Sequence, residues 1–294
     1  MPFLIDTHGH VNFNAFRNDA DDVLGRALKN DTWVIMPGSQ YSTSQRAVEI
    51  AERFKNGVFA AVGIHPIHLE HREVDVMEVQ SAKGEKESWM TFETRAEEFD
   101  HEAYKDLAKS KKVVAIGEVG LDYYYEPKGK AKREEFRARQ KETLEKQISL
   151  ALELNLPVIL HCRAAHPDLF NLLTTRYPLP TSDFRGVLHC YTGNLEQAKK
   201  FLDLGLYFGF NGLIFKKVPA LPDPREIISF LPLDRILLET DSPYLVPSQA
   251  AVERNEPLFV KYVAQEISRI KNIPLEKVAE ITTQNALTLF HLSF

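Results

Sequence analysis

Eight short apolar runs, separated by longer amphipathic stretches, constrain the fold more than any other feature of the chain. They are Phe3–Asp6, Thr32–Met36, Val58–Ile64, Val113–Glu118, Val158–His161, Gly186–His189, Tyr207–Phe210 and Arg235–Glu239. Each is rich in β-branched or aromatic residues and none alternates apolar with polar, as strands covered on both faces require. Helical patterns lie between them. In Arg133–Leu154, Phe136, Gln140, Leu144, Ile148 and Leu152 recur every four residues with charges elsewhere, and a second helix opens at Pro257 and runs to Ile270. Strand and helix in strict alternation specify a parallel α/β fold, and eight such units in 294 residues fit a (β/α)8 TIM-type barrel.

No internal repeat and no Gly/Ser-rich linker divides the sequence, so residues 1–294 are read as a single barrel domain. Residues 67–111 are long for a strand–helix connection and carry the charged run Lys83-Gly84-Glu85-Lys86-Glu87, the mark of a surface insertion. A substrate lid or a dimer contact is the other reading of that segment. The chain has 36 Lys+Arg against 41 Asp+Glu, a formal charge of −5, which argues against a broad basic face for nucleic acid but leaves room for a local phosphate site. No apolar run approaches the roughly 20 residues needed to span a bilayer. With only two cysteines, Cys162 and Cys190, and nothing resembling a signal peptide, the expectation is a cytoplasmic enzyme with no membrane or obligate protein partner.

Chemistry-bearing residues stand at the ends of the strands. The first run ends in Asp6-Thr7-His8-Gly9-His10, and two histidines two apart in extended chain point to one side. The fourth ends in Gly117-Glu118-Val119-Gly120, a carboxylate that is costly unless paired or ligating. His161 and His189 close the fifth and sixth, and Asp241 follows the eighth just before Pro243. Any one of these histidines could be a core residue with a satisfied hydrogen bond. Together on the C-terminal rim of a parallel barrel, where enzymes of this fold keep their sites, four histidines and two carboxylates point to a polynuclear metal site. Nitrogen and oxygen donors suit Mg2+, Mn2+ or Zn2+. Strand alternation turns Cys162 and Cys190 away from such ions.

The motifs Asp6-Thr7-His8-Gly9-His10, Gly63-Ile64-His65-Pro66, Gly117-Glu118-Val119-Gly120-Leu121-Asp122, Pro157-Val158-Ile159-Leu160-His161, His189-Cys190-Tyr191-Thr192-Gly193, Glu239-Thr240-Asp241-Ser242-Pro243-Tyr244 and Asn255-Glu256-Pro257 occur in order. With Ile281-Thr282-Thr283-Gln284-Asn285-Ala286 near the end, the chain resembles the TatD family of metal-dependent deoxyribonucleases, within the amidohydrolase-like barrels. The resemblance implies two divalent ions (Mg, Mn or Zn): His8, His10 and Asp241 on one, His161 and His189 on the second, and Glu118 bridging. Two ions can activate a water and steady both oxygens of an in-line displacement at phosphorus. Asp241 is the candidate general base, ligation alone being its other role. His65 is assigned to the substrate phosphate or leaving oxygen, or else to a supporting hydrogen bond. Arg163 pairs a phosphate oxygen or forms a salt bridge on the rim.

The implied activity is 3′–5′ exonucleolytic hydrolysis of single-stranded DNA, with RNA as a further substrate. The alternative keeps the site and changes the substrate to another phosphoester, a carboxylic ester or an amide. Lys128, Lys130, Lys132, Arg133, Arg137, Arg139 and Lys141, with Tyr123, Tyr124 and Tyr125 upstream, read either as a single-strand binding face or as a solvated helix face. Pro247–Glu253 carries no basic residue before Asn255-Glu256-Pro257, which removes an expected phosphate contact.

Overall fold

The computed structural model describes residues 1–75, 91–177 and 183–293. Eight parallel strands form its sheet in the order β1 (Leu4–Asp6), β2 (Thr32–Pro37), β3 (Val58–Val62), β6 (Val113–Asp122), β7 (Val158–Arg163), β8 (Gly186–Leu188), β9 (Tyr207–Phe210) and β10 (Ile236–Leu238). All eight expected runs are strands. The last meets the first through backbone hydrogen bonds rather than a full ladder: Thr7 N–H donates to Leu238 O at 2.9 Å, Asp241 N–H to His8 O at 2.8 Å and His10 N–H to Ser242 O at 2.7 Å. Buried Asp6 fastens the same seam by accepting from the Thr240 N–H at 2.9 Å and the Thr240 hydroxyl at 2.5 Å. The result is a TIM-type barrel.

Helices α1 (Ala20–Lys29), α2 (Tyr41–Glu52), α3 (His101–Leu107), α4 (Lys130–Glu153), α5 (His166–Arg176), α6 (Leu195–Asp203), α7 (Pro224–Phe230), α8 (Val260–Lys271) and α9 (Leu275–Leu289) surround it. Within the expected insertion, β4 (Arg72–Asp75) and β5 (Thr91–Thr94) pair antiparallel, and α3 follows. The run Lys83–Glu87 lies outside the described residues.

The barrel interior is filled at one end and polar at the other. Ile5, Ile35, Ala61, Ala115, Ile159, Val187 and Leu237, one from each of seven strands, cluster with Leu287, Leu289 and Phe290 at the end of α9, which plugs that mouth. Two residues beyond Ile159, Val187 and Leu237, on β7 and one residue past the ends of β8 and β10, stand His161, His189 and Glu239. Strand β6 breaks the alternation: its register with β7 shifts between Ile116 and Val119, and Glu118 rather than a neighbour enters the open end.

Candidate metal centre

Each side chain of the open end is aimed by a contact on its far side. His10 Nδ1 is 3.1 Å from Pro37 O, a carbonyl that also accepts from Asn12 Nδ2 at 3.0 Å, so the imidazole carries its proton on Nδ1 and presents the bare Nε2 inward. His189 Nδ1 donates to Glu239 Oε2 at 2.9 Å, and the Cys190 N–H donates to the same oxygen at 3.0 Å. Glu239 is fully buried, and a Cβ at position 209 would sit 1.9 Å from its Oε1, so only glycine there leaves room for it. His65 differs. Its Nδ1 accepts from the Ile67 N–H at 3.0 Å, which puts the proton on Nε2 and makes that inward atom a donor rather than a ligand.

The two oxygens of Glu118 face different groups of donors. Oε2 lies 3.2 Å from His8 Nε2 and 3.6 Å from His10 Nε2; these nitrogens are 3.1 Å apart, and Asp241 Oδ1 is 3.5 Å from His10 Nε2. Ligand atoms about 2.1 Å from one ion stand about 3.0 Å apart at right angles and about 3.4 Å apart in a tetrahedron, and the donor atoms of His8, His10 and Asp241, all within 4.8 Å of one another, fit the spacing of an ion's coordination sphere. Oε1 faces His161 Nδ1 at 2.8 Å, His65 Nε2 at 3.5 Å and His189 Nε2 at 3.8 Å. The donor set and its spacing fit divalent metal.

All six expected ligands therefore converge, but not in the expected partition. The sets whose donor atoms lie within 4.8 Å of one another are His8, His10 and Asp241; His8, Glu118 and His189; His65, Glu118 and His161; and His189, Cys190 and Asp241. None holds both His161 and His189. The His161 ring is turned with Nδ1 on Glu118 and Nε2 3.4 Å from Asp122 Oδ2, and its χ2 is the torsion that decides which nitrogen faces inward. Cys162 packs into the apolar layer outside the barrel, as alternation requires. Cys190 does not follow the expectation and reaches the centre. Strand β8 ends at Leu188, so Cys190 lies beyond the pleat, and its φ of 44° turns the thiol toward the cleft.

Burial and mutual proximity set the charges. Burial and neighbouring His189 pull His8 down to about 4. Burial also pulls on His189, but Glu239 and Glu118 outweigh it and push that imidazole up to about 10. Burial opposes ionisation of Glu118 and Asp241 too, yet the surrounding imidazoles win and hold both carboxyls below their ordinary range.

The cleft above these groups has a volume of about 260 Å3 and apolar walls that include Phe13, Ile67, Leu213 and Tyr244. Arg163 borders it, but its guanidinium is held by buried Asp122, with Nε at 3.0 Å and Nη2 at 2.6 Å from Oδ2, beneath Tyr124 and Tyr125. The salt-bridge reading of Arg163 is the geometry found. The basic run after β6 is also largely internally paired: Arg137 bonds Glu126 at 2.5 Å, Lys141 bonds Asp168 at 2.8 Å, and Tyr123 is buried on Asp168. Asp122 and Glu239 are the functional neighbours that sequence reasoning left without a role.

The family model described as TatD related DNase matches residues 5–291. The chain is 34% identical over 292 residues to the uncharacterized metal-dependent hydrolase YabD of Bacillus subtilis, covering 99% of this chain and 100% of that protein. It is 30% identical over 295 residues to the 3′-5′ ssDNA/RNA exonuclease TatD of Pantoea ananatis, covering 98% of this chain and 100% of that one. Among solved structures, the TatD homolog YjjV from Escherichia coli superposes with a TM-score of 0.76 at 29% identity, covering 99% of each chain.

Proposed function

The chain belongs to the TatD family of metal-dependent hydrolases, enzymes acting on ester bonds, and from that premise we propose that it cleaves phosphodiesters as a 3′–5′ exonuclease on single-stranded DNA and RNA. The observation that carries this reading is Glu118, with one oxygen beside His8 and His10 and the other facing His161 and His189. Those residues and Asp241 would hold two divalent ions, Mg2+, Mn2+ or Zn2+. Such a pair, when bound, polarises a phosphate oxygen and lowers the pKa of water. Asp241, kept ionised by the imidazoles around it, takes the proton of the attacking water. His65 is neutral, because burial and His161 hold it well below its ordinary value, and its Nε2–H donates to a phosphate or leaving oxygen. Arg163, braced by Asp122, offers a guanidinium edge as hydrogen-bond donor on the wall where the phosphate sits. The apolar walls exclude water and cover the terminal nucleoside.

The test is digestion of end-labelled single-stranded DNA with Mg2+ and Mn2+ supplied separately. Stepwise shortening from the 3′ end is expected, abolished by EDTA and reduced at least about 10³-fold by Glu118→Gln, which removes a charge shared by both donor sets. Metal-loaded protein that leaves DNA and RNA intact but hydrolyses a small carboxylic or phosphate ester would move the reading to the alternative substrates.

A further inference from the structure

A second, larger depression of about 900 Å3 lies beside the metal cleft. Phe13, Ser39, His68 and Tyr244 border both cavities, so the two adjoin along these four residues. The walls of the larger one come from residues 12–19 before α1, residues 39–46 at the start of α2, and residues 91–95 of the insertion. Arginine is the recurrent charge there: Arg17, Arg46, Arg95 and Arg254. Arg254 is neutralised by Asp19 at 2.5 Å. None of Arg17, Arg46 and Arg95 has a carboxylate within 4.0 Å among the described residues, and Glu93 is the only other acid on the walls. In a chain whose formal charge is −5, three guanidinium groups without a carboxylate partner among the described residues, around one depression, are a local excess that a polyanion would satisfy. At the junction Phe13 stacks on His10, with centroids 4.2 Å apart, and so places an aromatic face beside the cleft. No member of the basic run 128–141 lines either cavity.

We propose that this depression is the groove followed by the polynucleotide strand beyond the scissile nucleotide, with Arg17, Arg46 and Arg95 on its phosphates and Phe13 against a base. The assignment rests on the nuclease reading above. Phosphate contacts of this kind position a strand without reading its sequence, and each is lost as salt rises.

The test compares a long oligothymidylate with a thymidine dinucleotide, using metal-loaded wild type, the triple variant R17A/R46A/R95A, its charge-keeping counterpart R17K/R46K/R95K, and K128A/K130A/K132A. For the triple alanine variant, KM for the long substrate is expected to rise roughly 10- to 100-fold. The slope of log KM against log salt should become shallower by about 2, three contacts at about 0.7 each. The lysine variant should recover most of the wild-type preference for length, and K128A/K130A/K132A should match wild type. An active, folded R17A/R46A/R95A with unchanged length preference and salt slope would overturn the groove and leave the nuclease standing. Wild-type protein that cleaves neither substrate would remove the nuclease reading and the groove with it.

Discussion

Glu239 never touches the centre of the cleft, yet it decides which nitrogen of His189 does. Its Oε2 accepts from His189 Nδ1 at 2.9 Å, so Nε2 is the nitrogen left facing Glu118 and Asp241. Glu239→Gln keeps the volume and an acceptor but loses the charge and offers an amide group that the buried site cannot pair. The expected outcome is a folded protein with metal affinity lowered about 10- to 100-fold, read by calorimetric titration with Mn2+ or Zn2+. Unchanged affinity would confine Glu239 to packing. The sequence carried a signal for this residue: Leu237, Glu239 and Asp241 share strand parity, and Leu237 faces the barrel interior. Glu118 carried a different signal, a carboxylate closing an apolar run between glycines, while strand parity argued against it. By parity with Ala115 the inward positions of β6 are Gly117 and Val119, and only the register shift, a three-dimensional accident of pairing with β7, brings the carboxylate in. Cys190 misled for a related reason, because alternation stops where the strand stops.

At the level of elements, apolar runs located every strand of the barrel, because strands buried on both faces leave no other reading of eight short β-branched segments. Helix α4 shows where periodicity runs out. A spacing of four drifts about 40° per step against a 3.6-residue turn, so Leu152 has rotated about 160° from Phe136. Accordingly Phe136, Gln140, Leu144 and Ile148 are buried, while Leu152 is 36% exposed and Ala151 takes its place. The polar members of the buried stripe have a definite task. Gln140 brackets the backbone of Asp122, accepting its N–H at 2.8 Å and donating to its carbonyl at 2.9 Å; Gln147 does the same for Ile64 at 2.7 and 3.1 Å. One helix thereby fixes the strand end that carries Asp122 and the residue that precedes His65. Gln147→Leu strands a buried N–H and C=O of Ile64, at a cost of about 2–4 kcal/mol. Calorimetry should show the melting temperature down by roughly 4–10 °C. A loss under about 1 °C would mean that Ile64 finds other partners.

Across the whole molecule, the filled end of the barrel supplies apolar burial, while the open end concentrates buried imidazoles and carboxylates that tend to titrate on unfolding. No helix among the described residues is long and apolar enough to cross a membrane. Because those buried groups titrate, stability should depend on pH even after metal is stripped. His166, at the start of α5, isolates one contribution away from the centre. It is buried against Tyr191 and Phe201, its Nε2 has no hydrogen-bond partner among the described residues, and burial, aided by His161, lowers it to about 4. The unfolded chain protonates an ordinary imidazole near 6.5, so between about pH 6.5 and 4 the unfolded state binds more protons than the folded one. Unfolding free energy then rises with pH: the contribution is complete above the unfolded value and is lost as pH falls through the window toward the folded one. Its full size is on the order of 3 kcal/mol. In His166→Phe the aromatic contacts persist and the proton uptake vanishes, so urea denaturation in EDTA should show a stability that falls less between neutral pH and about pH 4.5 than in wild type. Parallel pH profiles for the two proteins would place the acid sensitivity elsewhere, in the imidazoles around Glu118.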